Sequence, residues 1–178
     1  MVGTVERCNE DQGEQELKQL VIFFQPFLSE VYSIETLRLF LDSSIHGGQS
    51  LCLKVFSSSR LICALVGFTF NPAKSKALNY LLLDVDQKQL LEFKCLGYIA
   101  MVAVDPDFRK KGLGRKLFSD CFIEMKSRGC EMVFLETEQS NEVMCNLLSS
   151  FNFKAQDLIE NFYENGSSAL RYYYFFED

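Results

Sequence analysis

The sequence has one histidine, His46, among its 178 residues. A mechanism that needs two imidazoles, a histidine-rich zinc site or an HExxH metalloprotease motif is therefore excluded. It also has no CxxC pair. The seven cysteines, at 8, 52, 63, 95, 121, 130 and 145, are odd in number and several fall inside apolar runs, so they read as reduced core thiols. The N-terminal stretch MVGTVERCNEDQGEQELK lacks the basic start and apolar run of a leader, and no later run approaches the length of a membrane span. A soluble, cytoplasmic protein is the expectation. Positive charge is in deficit, with a net charge of -6, which argues against bulk electrostatic capture of nucleic acid or an anionic membrane. Proline is scarce at 3, while apolar residues make up 48% with 17 Phe, enough to offset the ordering entropy of a compact core. The length suits a single domain over residues 1–178.

Residues 1–13 are polar and expected to fray. From Gln15, the apolar positions Leu17, Leu20, Val21, Phe24, Phe27 and Leu28 recur at three and four residues, one face of an amphipathic helix that Pro26 kinks or ends. A second short helix is predicted from a Ser33 cap through Leu37, Phe40 and Leu41, and His46-Gly47-Gly48 reads as a loop. LCLKVF (51–56) and LICALVGFTF (61–70), joined by SSSR, predict a β-hairpin. The stretch 71–96 is the least legible: NPAKSK is a turn, LNYLLLD is too apolar to stand free in water, and DQKQLLEFK suits a short helix. Tyr98–Val104 reads as a buried strand stopped by Asp-Pro-Asp, residues 112–129 as a helix ended by Gly129, and EMVFLETE as a further strand. Strand, helix and strand make a βαβ unit, which requires a parallel pair and opens a cleft at the strand ends.

Between that first strand and its helix lies VDPDFRKKGLGRKL. From Asp105 to Lys116 it holds five cations, Arg109, Lys110, Lys111, Arg115 and Lys116, against Asp105 and Asp107, a net +3 inside an acidic protein. Glycines at 112 and 114 let the backbone approach a ligand, and the following helix adds the positive end of its dipole, so the turn suits a phosphate. A dinucleotide GxGxxG fails at Leu117 and a P-loop fails for want of GK[ST]. A solvated basic turn before an ordinary helix is the plainer alternative.

RKKGLG after a strand ending Val104-Asp105 resembles the acetyl-coenzyme A signature [RQ]xxGx[GA] of the GNAT acetyltransferases. GYIAMVAVDPDFRKKGLG, LETEQSN, ENG and ALR, together with LSEVYSIETLRLF near the N-terminus, resemble in order and spacing the catalytic subunits of the N-terminal acetyltransferase C (NatC) family. The resemblance implies an α/β (α+β) GNAT fold, a mixed twisted sheet flanked by helices and splayed at an acetyl-coenzyme A site. It implies transfer of acetyl to the α-amine of protein N-termini, Met followed by a bulky apolar residue being favoured, with acetyl-coenzyme A as donor and no metal. Auxiliary subunits and, through them, the ribosome are the implied partners, and 71–96 stands as an insertion relative to the family.

By the same resemblance Met101, Val102 and Val104 bind the pantetheine and thioester through their backbone. Arg109, Lys110, Lys111, Gly112, Leu113, Gly114 and Arg115 take the pyrophosphate, and Asn141 the pantetheine arm. Glu30, Tyr98 and Glu136 line the reacting centre, with Glu30 or Glu136 as base through an ordered water and an amide near Val102 steadying the oxyanion. Leu28, Glu30, Tyr32, Phe162 and Tyr163 hold the acceptor. An exposed carboxylate for Glu30, a helix cap for Asn141, and sheet-packing aromatics at 162–163 are the structural alternatives. Near neutral pH an α-amine is about a tenth unprotonated and a lysine below about a thousandth, so a modest base suffices for the former. One departure matters: LLSSFNF puts Leu148 where the family has a tyrosine that protonates the departing thiolate or positions the amine. That leaves two other readings, a GNAT enzyme with another amine acceptor and a non-catalytic acetyl-coenzyme A-binding subunit.

Overall fold

A computed structural model describes residues 5–7, 13–28, 30, 32–75 and 90–177. Helix α1 is Glu14–Phe24, and Pro26 falls in the turn that follows it rather than inside it. Helix α2, Ile34–Leu41, starts as expected at Ser33, whose hydroxyl accepts the Thr36 amide. The expected loop at His46 is instead the end of a one-turn helix α3, Ser43–His46. Asp42 caps its Ser44 amide, and Gly47 closes it in the left-handed conformation.

Strands β2 (Gly48–Ser57) and β3 (Arg60–Phe70) form the hairpin. Within the polar start of the chain, Val5–Arg7 does not fray but adds to the open edge of β2 as a short antiparallel strand β1. Asn71 begins the expected turn, its side chain accepting the Ala73 amide. The apolar LNYLLLD run and residues 86–89 of the proposed helix after it lie outside the described residues, and 91–94 form a turn rather than a helix. Then follow β4 (Leu96–Val104), a 3-10 turn at Pro106–Phe108, α4 (Leu113–Ser127), β5 (Met132–Glu138), α5 (Glu142–Ser149), β6 (Lys154–Ile159) and β7 (Ala169–Phe175). At the end of α4 the Gly129 and Cys130 amides return to the Lys126 and Met125 carbonyls, with Gly129 at φ 80°. Among the described residues no helix is long and apolar enough to cross a membrane.

The strands form one sheet, ordered β1-β2-β3-β4-β5-β7-β6, in which only β4 and β5 run parallel. Strand alternation sorts its side chains to two faces. Leu51, Leu53, Cys63, Leu65, Val133 and Leu135 meet Leu117, Phe118, Cys121 and Met125 of α4. Cys52, Ala64 and Val66 meet Leu17, Leu20 and Phe24 of α1 and Leu37 of α2. Each fully buried Leu or Phe contributes about 1.5–3 kcal/mol. Strand β3, covered on both faces, is buried from Leu61 to Phe70, which is why it reads as an unbroken apolar run.

Strand β4 breaks the alternation. Val66 pairs with Met101 but Gly67 pairs with Ile99, so Ala100 is an extra residue opposite no partner, a β-bulge. In consequence Tyr98 and Met101, three apart, both face the α1–α2 side, while Ile99 faces α4. Gly67 is required here: a Cβ built on it would fall on the Tyr98 carbonyl oxygen across the bulge.

His46 ends α3 against this core, 1% exposed and stacked on Phe68 with ring centroids 4.3 Å apart. Among the described residues neither ring nitrogen has a hydrogen-bond partner. Burial pushes its pKa down from 6.5 to about 4, against a weaker opposing pull from Asp42. The folded protein thus keeps His46 neutral while the unfolded chain takes up a proton below its ordinary pKa, so stability is lost as pH falls below that value. Urea unfolding at a series of pH values from neutral down to about pH 5 is expected to lose about 1.4 kcal/mol per pH unit through this group. His46→Phe should flatten that part of the profile.

Candidate functional site

The parallel ladder between β4 and β5 consists of Leu96–Met132, Gly97–Val133 and Tyr98–Phe134, and then stops. Both strands continue, β4 to Val104 against β3 and β5 to Glu138 against β7. The sheet therefore opens into a V, and a cavity of about 110 Å³, the space of a few water molecules, lies where the strands part. It is lined by Tyr98–Val102 from β4, Leu135–Glu138 from β5, Asn141 and Met144 from α5, Phe27, Leu28 and Tyr32 from the α1–α2 connection, and Phe162 and Tyr163 from the β6–β7 turn. Leu28, Tyr32, Tyr98, Met101, Val102, Glu136, Asn141, Phe162 and Tyr163, chosen from four separated stretches of sequence, thus share one cleft.

Glu136 stands at its floor with a side chain 3% exposed. Its Oε2 accepts the Tyr98 hydroxyl at 3.0 Å and its Oε1 accepts Arg171 Nε at 2.5 Å. Arg171, 2% exposed at its side chain, is the functional residue that sequence reasoning missed. The signal was present in the ALR tripeptide, but its meaning depends on register: β7 runs antiparallel to β5 so that Arg171 lies directly opposite Glu136. Burial pushes the Glu136 carboxyl above its ordinary pKa, and Arg171 and Tyr98 pull it part of the way back. Burial also raises the phenols around it. Tyr32 is pushed up to about 12, with the Glu30 and Glu136 carboxylates adding to burial, and burial pushes Tyr98 and Tyr163 up as well. All three phenols hold their protons at neutral pH, and Tyr98 donates its own to Glu136.

Glu30 occupies the rim, not the floor. One of its oxygens accepts the Glu164 amide at 3.2 Å, tying the α1–α2 connection to the β6–β7 turn. That turn is braced a second time by Glu138, which accepts Ser167 Oγ at 2.8 Å and Asn165 Nδ2 at 3.3 Å. Within the turn, Phe162 and Tyr163 meet edge to face at 5.0 Å, and Phe162 is exposed. They line the cleft rather than pack into the sheet. Met144 adds an apolar wall beside Asn141. Asn141 is the N-cap of α5, its Oδ1 accepting the Met144 amide at 3.1 Å, so the capping reading and the cleft position both hold.

The basic turn lies beyond the end of β4. Gly112 adopts φ 79° with open space where a Cβ would be, and no side chain caps the start of α4. The first amides of a helix have no carbonyl within it to bind, so this end presents a set of donors to an anion, assisted by the helix dipole. The side chains are less available than their number suggests. Arg109 Nε donates to the Val104 carbonyl at 3.0 Å, and Lys111 Nζ donates to the Asp107 carbonyl at 2.9 Å while lying over the Phe108 ring. Arg115 donates to Ser150 at 2.9 Å and covers Phe151, and Lys116 pairs with Asp120. Lys110 is exposed with φ 59°, and Leu113 sends its side chain into the core, leaving only its backbone to a ligand. Gly114 lies where a Cβ would touch Leu147 and Val104, the close approach of α4 to β4 and α5. Leu148 is 0% exposed in the core between α4 and the sheet, and does not line the cleft.

The family model for the acetyltransferase (GNAT) family matches residues 17–153. N-alpha-acetyltransferase 30 of Xenopus laevis is 30% identical over 160 residues, covering 90% of this chain and 50% of that protein. The same-named protein of Schizosaccharomyces pombe is 29% identical over 160 residues, 90% of this chain and 92% of that protein. The chain thus spans about half the length of the first of these relatives, and 38% of the human protein of that name. Among solved structures, a chain of the NatC complex bound to Gag peptide and CoA superposes with a TM-score of 0.76 at 20% identity, covering 99% of this chain and 100% of that one.

Removing one partner of a buried ion pair leaves an uncompensated charge. Arg171→Met is expected to destabilise the protein by about 3–5 kcal/mol, and Arg171→Met with Glu136→Leu to recover much of that loss, as measured by denaturant unfolding. A double variant as unstable as the single one would show that Arg171 matters for packing and not for the charge of Glu136.

Proposed function

Because the chain belongs to the acetyltransferase (GNAT) family, we propose that it transfers acetyl from acetyl-coenzyme A to the α-amine of protein N-termini, with Met followed by a bulky apolar residue preferred. The observation that carries this reading is the V between β4 and β5: it has an uncapped helix N-terminus at one end and a buried carboxylate–phenol pair at the other. The names of the similar proteins support it from outside the structure.

The donor supplies an activated thioester. Its diphosphate suits the amides of residues 110–115, with Arg109, Lys110, Lys111 and Arg115 adding charge around them. Its pantetheine arm suits the β4 edge from Met101 to Val104, which β5 has left unpaired, and Asn141 across the gap. The bulge at Ala100 turns the backbone at the narrow end of the gap out of ladder geometry, and the amide near Val102 is our candidate for steadying charge on the reacting carbonyl oxygen.

For the base, the geometry favours Glu136 over Glu30. Glu136 lines the cleft at the point of splay, and its raised proton affinity brings it closer to that of a working base. Arg171 holds one of its oxygens and Tyr98 donates to the other, so the carboxylate is oriented before any substrate arrives. Proton removal from the amine passes through an ordered water. Glu30, bonded to the Glu164 amide, holds the rim where Tyr32, Leu28, Phe162 and Tyr163 receive the first acceptor residues. Auxiliary subunits that bring the chain to ribosomes, and a cytosolic location, belong to the same proposal.

A second reading has its own observation. With Leu148 sealed in the core, the family's tyrosine has no equivalent at that position, which favours a subunit that binds the donor without turnover, or slow transfer. Loss of a general acid costs about two decades of rate or more, and the phenols of Tyr32 and Tyr163 also line the cleft.

Incubation of the purified chain with acetyl-coenzyme A and peptides starting Met-Leu or Ser-Glu distinguishes the readings. Acetylation of Met-Leu alone is the expected result; donor binding with no product on any amine supports the second reading. Arg109→Ala with Gly112→Ala is expected to weaken donor binding about tenfold or more, at about 1.4 kcal/mol per decade. Unchanged affinity in calorimetry would remove the phosphate assignment.

A further inference from the structure

At the joined end of the V two thiols meet. Cys95 Sγ and Cys130 Sγ are 3.2 Å apart, Cys95 immediately before β4 and Cys130 on the turn between α4 and β5. The backbone holds them there: the Glu131 amide donates to the Cys95 carbonyl at 3.0 Å, and the Lys94 amide donates to the Glu131 carboxylate at 2.6 Å. The two thiols are not equivalent. Cys95 is partly exposed and Cys130 is 4% exposed. The hydrogen bond from Cys130 lowers the Cys95 pKa, helped by Arg128 and opposed by burial and by Glu131, while the same bond and burial raise Cys130. Of the two, Cys95 has the lower proton affinity and the greater access to solvent. The remaining described cysteines differ: Cys52, Cys63 and Cys121 are buried, and Cys145 is partly exposed on α5 with its hydrogen bond to Tyr172.

We propose that Cys95 and Cys130 are a peroxide-responsive modification site, a thiol pair that closes reversibly to a disulfide across the joined end of the β4–β5 cleft. The chemistry balances in two steps. The Cys95 thiolate attacks one oxygen of hydrogen peroxide, the O–O bond breaks, and Cys95 becomes a sulfenic acid as hydroxide leaves. The Cys130 sulfur then attacks Cys95 Sγ, the S–O bond breaks, and hydroxide departs with the Cys130 proton as water. The two thiols are oxidised by two electrons and the peroxide is reduced to water. A dithiol reductant reverses the change. The bond closes a loop with a sequence separation of 35 residues that contains β4, the basic turn and α4, so it restricts the unfolded chain around the whole donor side of the cleft. The site does not depend on the acetyl-transfer reading.

The test uses the full chain treated with a stoichiometric amount of hydrogen peroxide, alkylated, digested and mapped by mass spectrometry, with thermal unfolding in parallel. The expected result is a Cys95–Cys130 cross-link with the loss of two hydrogens, a midpoint raised by about 5 °C, and reversal of both by dithiothreitol. Cys95→Ser, at the partly exposed position, and separately Cys130→Ala should abolish both changes. A cross-link through Cys8 or Cys145 instead, Cys95 recovered as sulfinic acid beside a free Cys130 thiol, or a midpoint that does not move would overturn the proposal.

Discussion

The parallel ladder between β4 and β5 runs from Leu96–Met132 to Tyr98–Phe134 and no further. Strands twist, and adjacent ones diverge unless hydrogen bonds hold them together. Here β4 remains bonded to β3 and β5 to β7, so each half of the sheet is stable on its own and the two swing apart from the third pair onward. The unpaired edges, which elsewhere in a sheet are a liability, become a slot with backbone groups on its walls. The bulge at Ala100 adds to this by changing which β4 side chains face which way, so that Tyr98 reaches Glu136 on the α1–α2 face while Ile99 remains in the core under α4.

Around that slot the protein uses charge in two ways. At the basic turn the cationic side chains are largely tied to local carbonyls, hydroxyls and rings, which leaves the backbone amides at the start of α4 and its dipole facing outward. Amides carry no net charge and need no ordering when a ligand arrives, so the proposed donor site has a low ordering cost. On the acceptor side two carboxylates, Glu30 and Glu138, bind the β6–β7 turn to the rest of the rim. Glu136 is enclosed with Arg171. A buried ion pair of this sort seldom adds stability over a hydrophobic pair of equal volume. Here the pair holds the Glu136 carboxylate in one orientation, its other oxygen accepting the Tyr98 hydroxyl.

Much of this architecture was legible in the chain. The period of the apolar residues gave α1, α2, α4 and the hairpin, because each of these buries one face or both and little else. The basic glycine turn was readable because its cations, its glycines and the strand before it lie within a few residues of one another, a local pattern. Several things were not legible, among them α5, β6 and β7, which the sequence reading did not delimit. Val5–Arg7 joined the sheet because β2 offered an open edge, which no property of a three-residue polar segment reveals. The one-turn helix at Ser43–His46 depended on the Asp42 cap and Gly47 closure in a stretch too short to show a period. Arg171 looked like an ordinary strand residue until the β5–β7 register set it against Glu136.

The sequence by itself determined α1, α2, the hairpin, β4, α4 and β5, the acidic character, the basic glycine turn and the family resemblance, since these depend on neighbours along the chain and on residue type alone. Tertiary structure decided which carboxylate lies at the floor and which at the rim. It decided that Leu148 belongs to the core and that Cys95 meets Cys130. Those outcomes depend on strand register, on the extra residue in β4, and on contacts between residues tens of positions apart, and a linear pattern carries no record of the distances across which such groups meet.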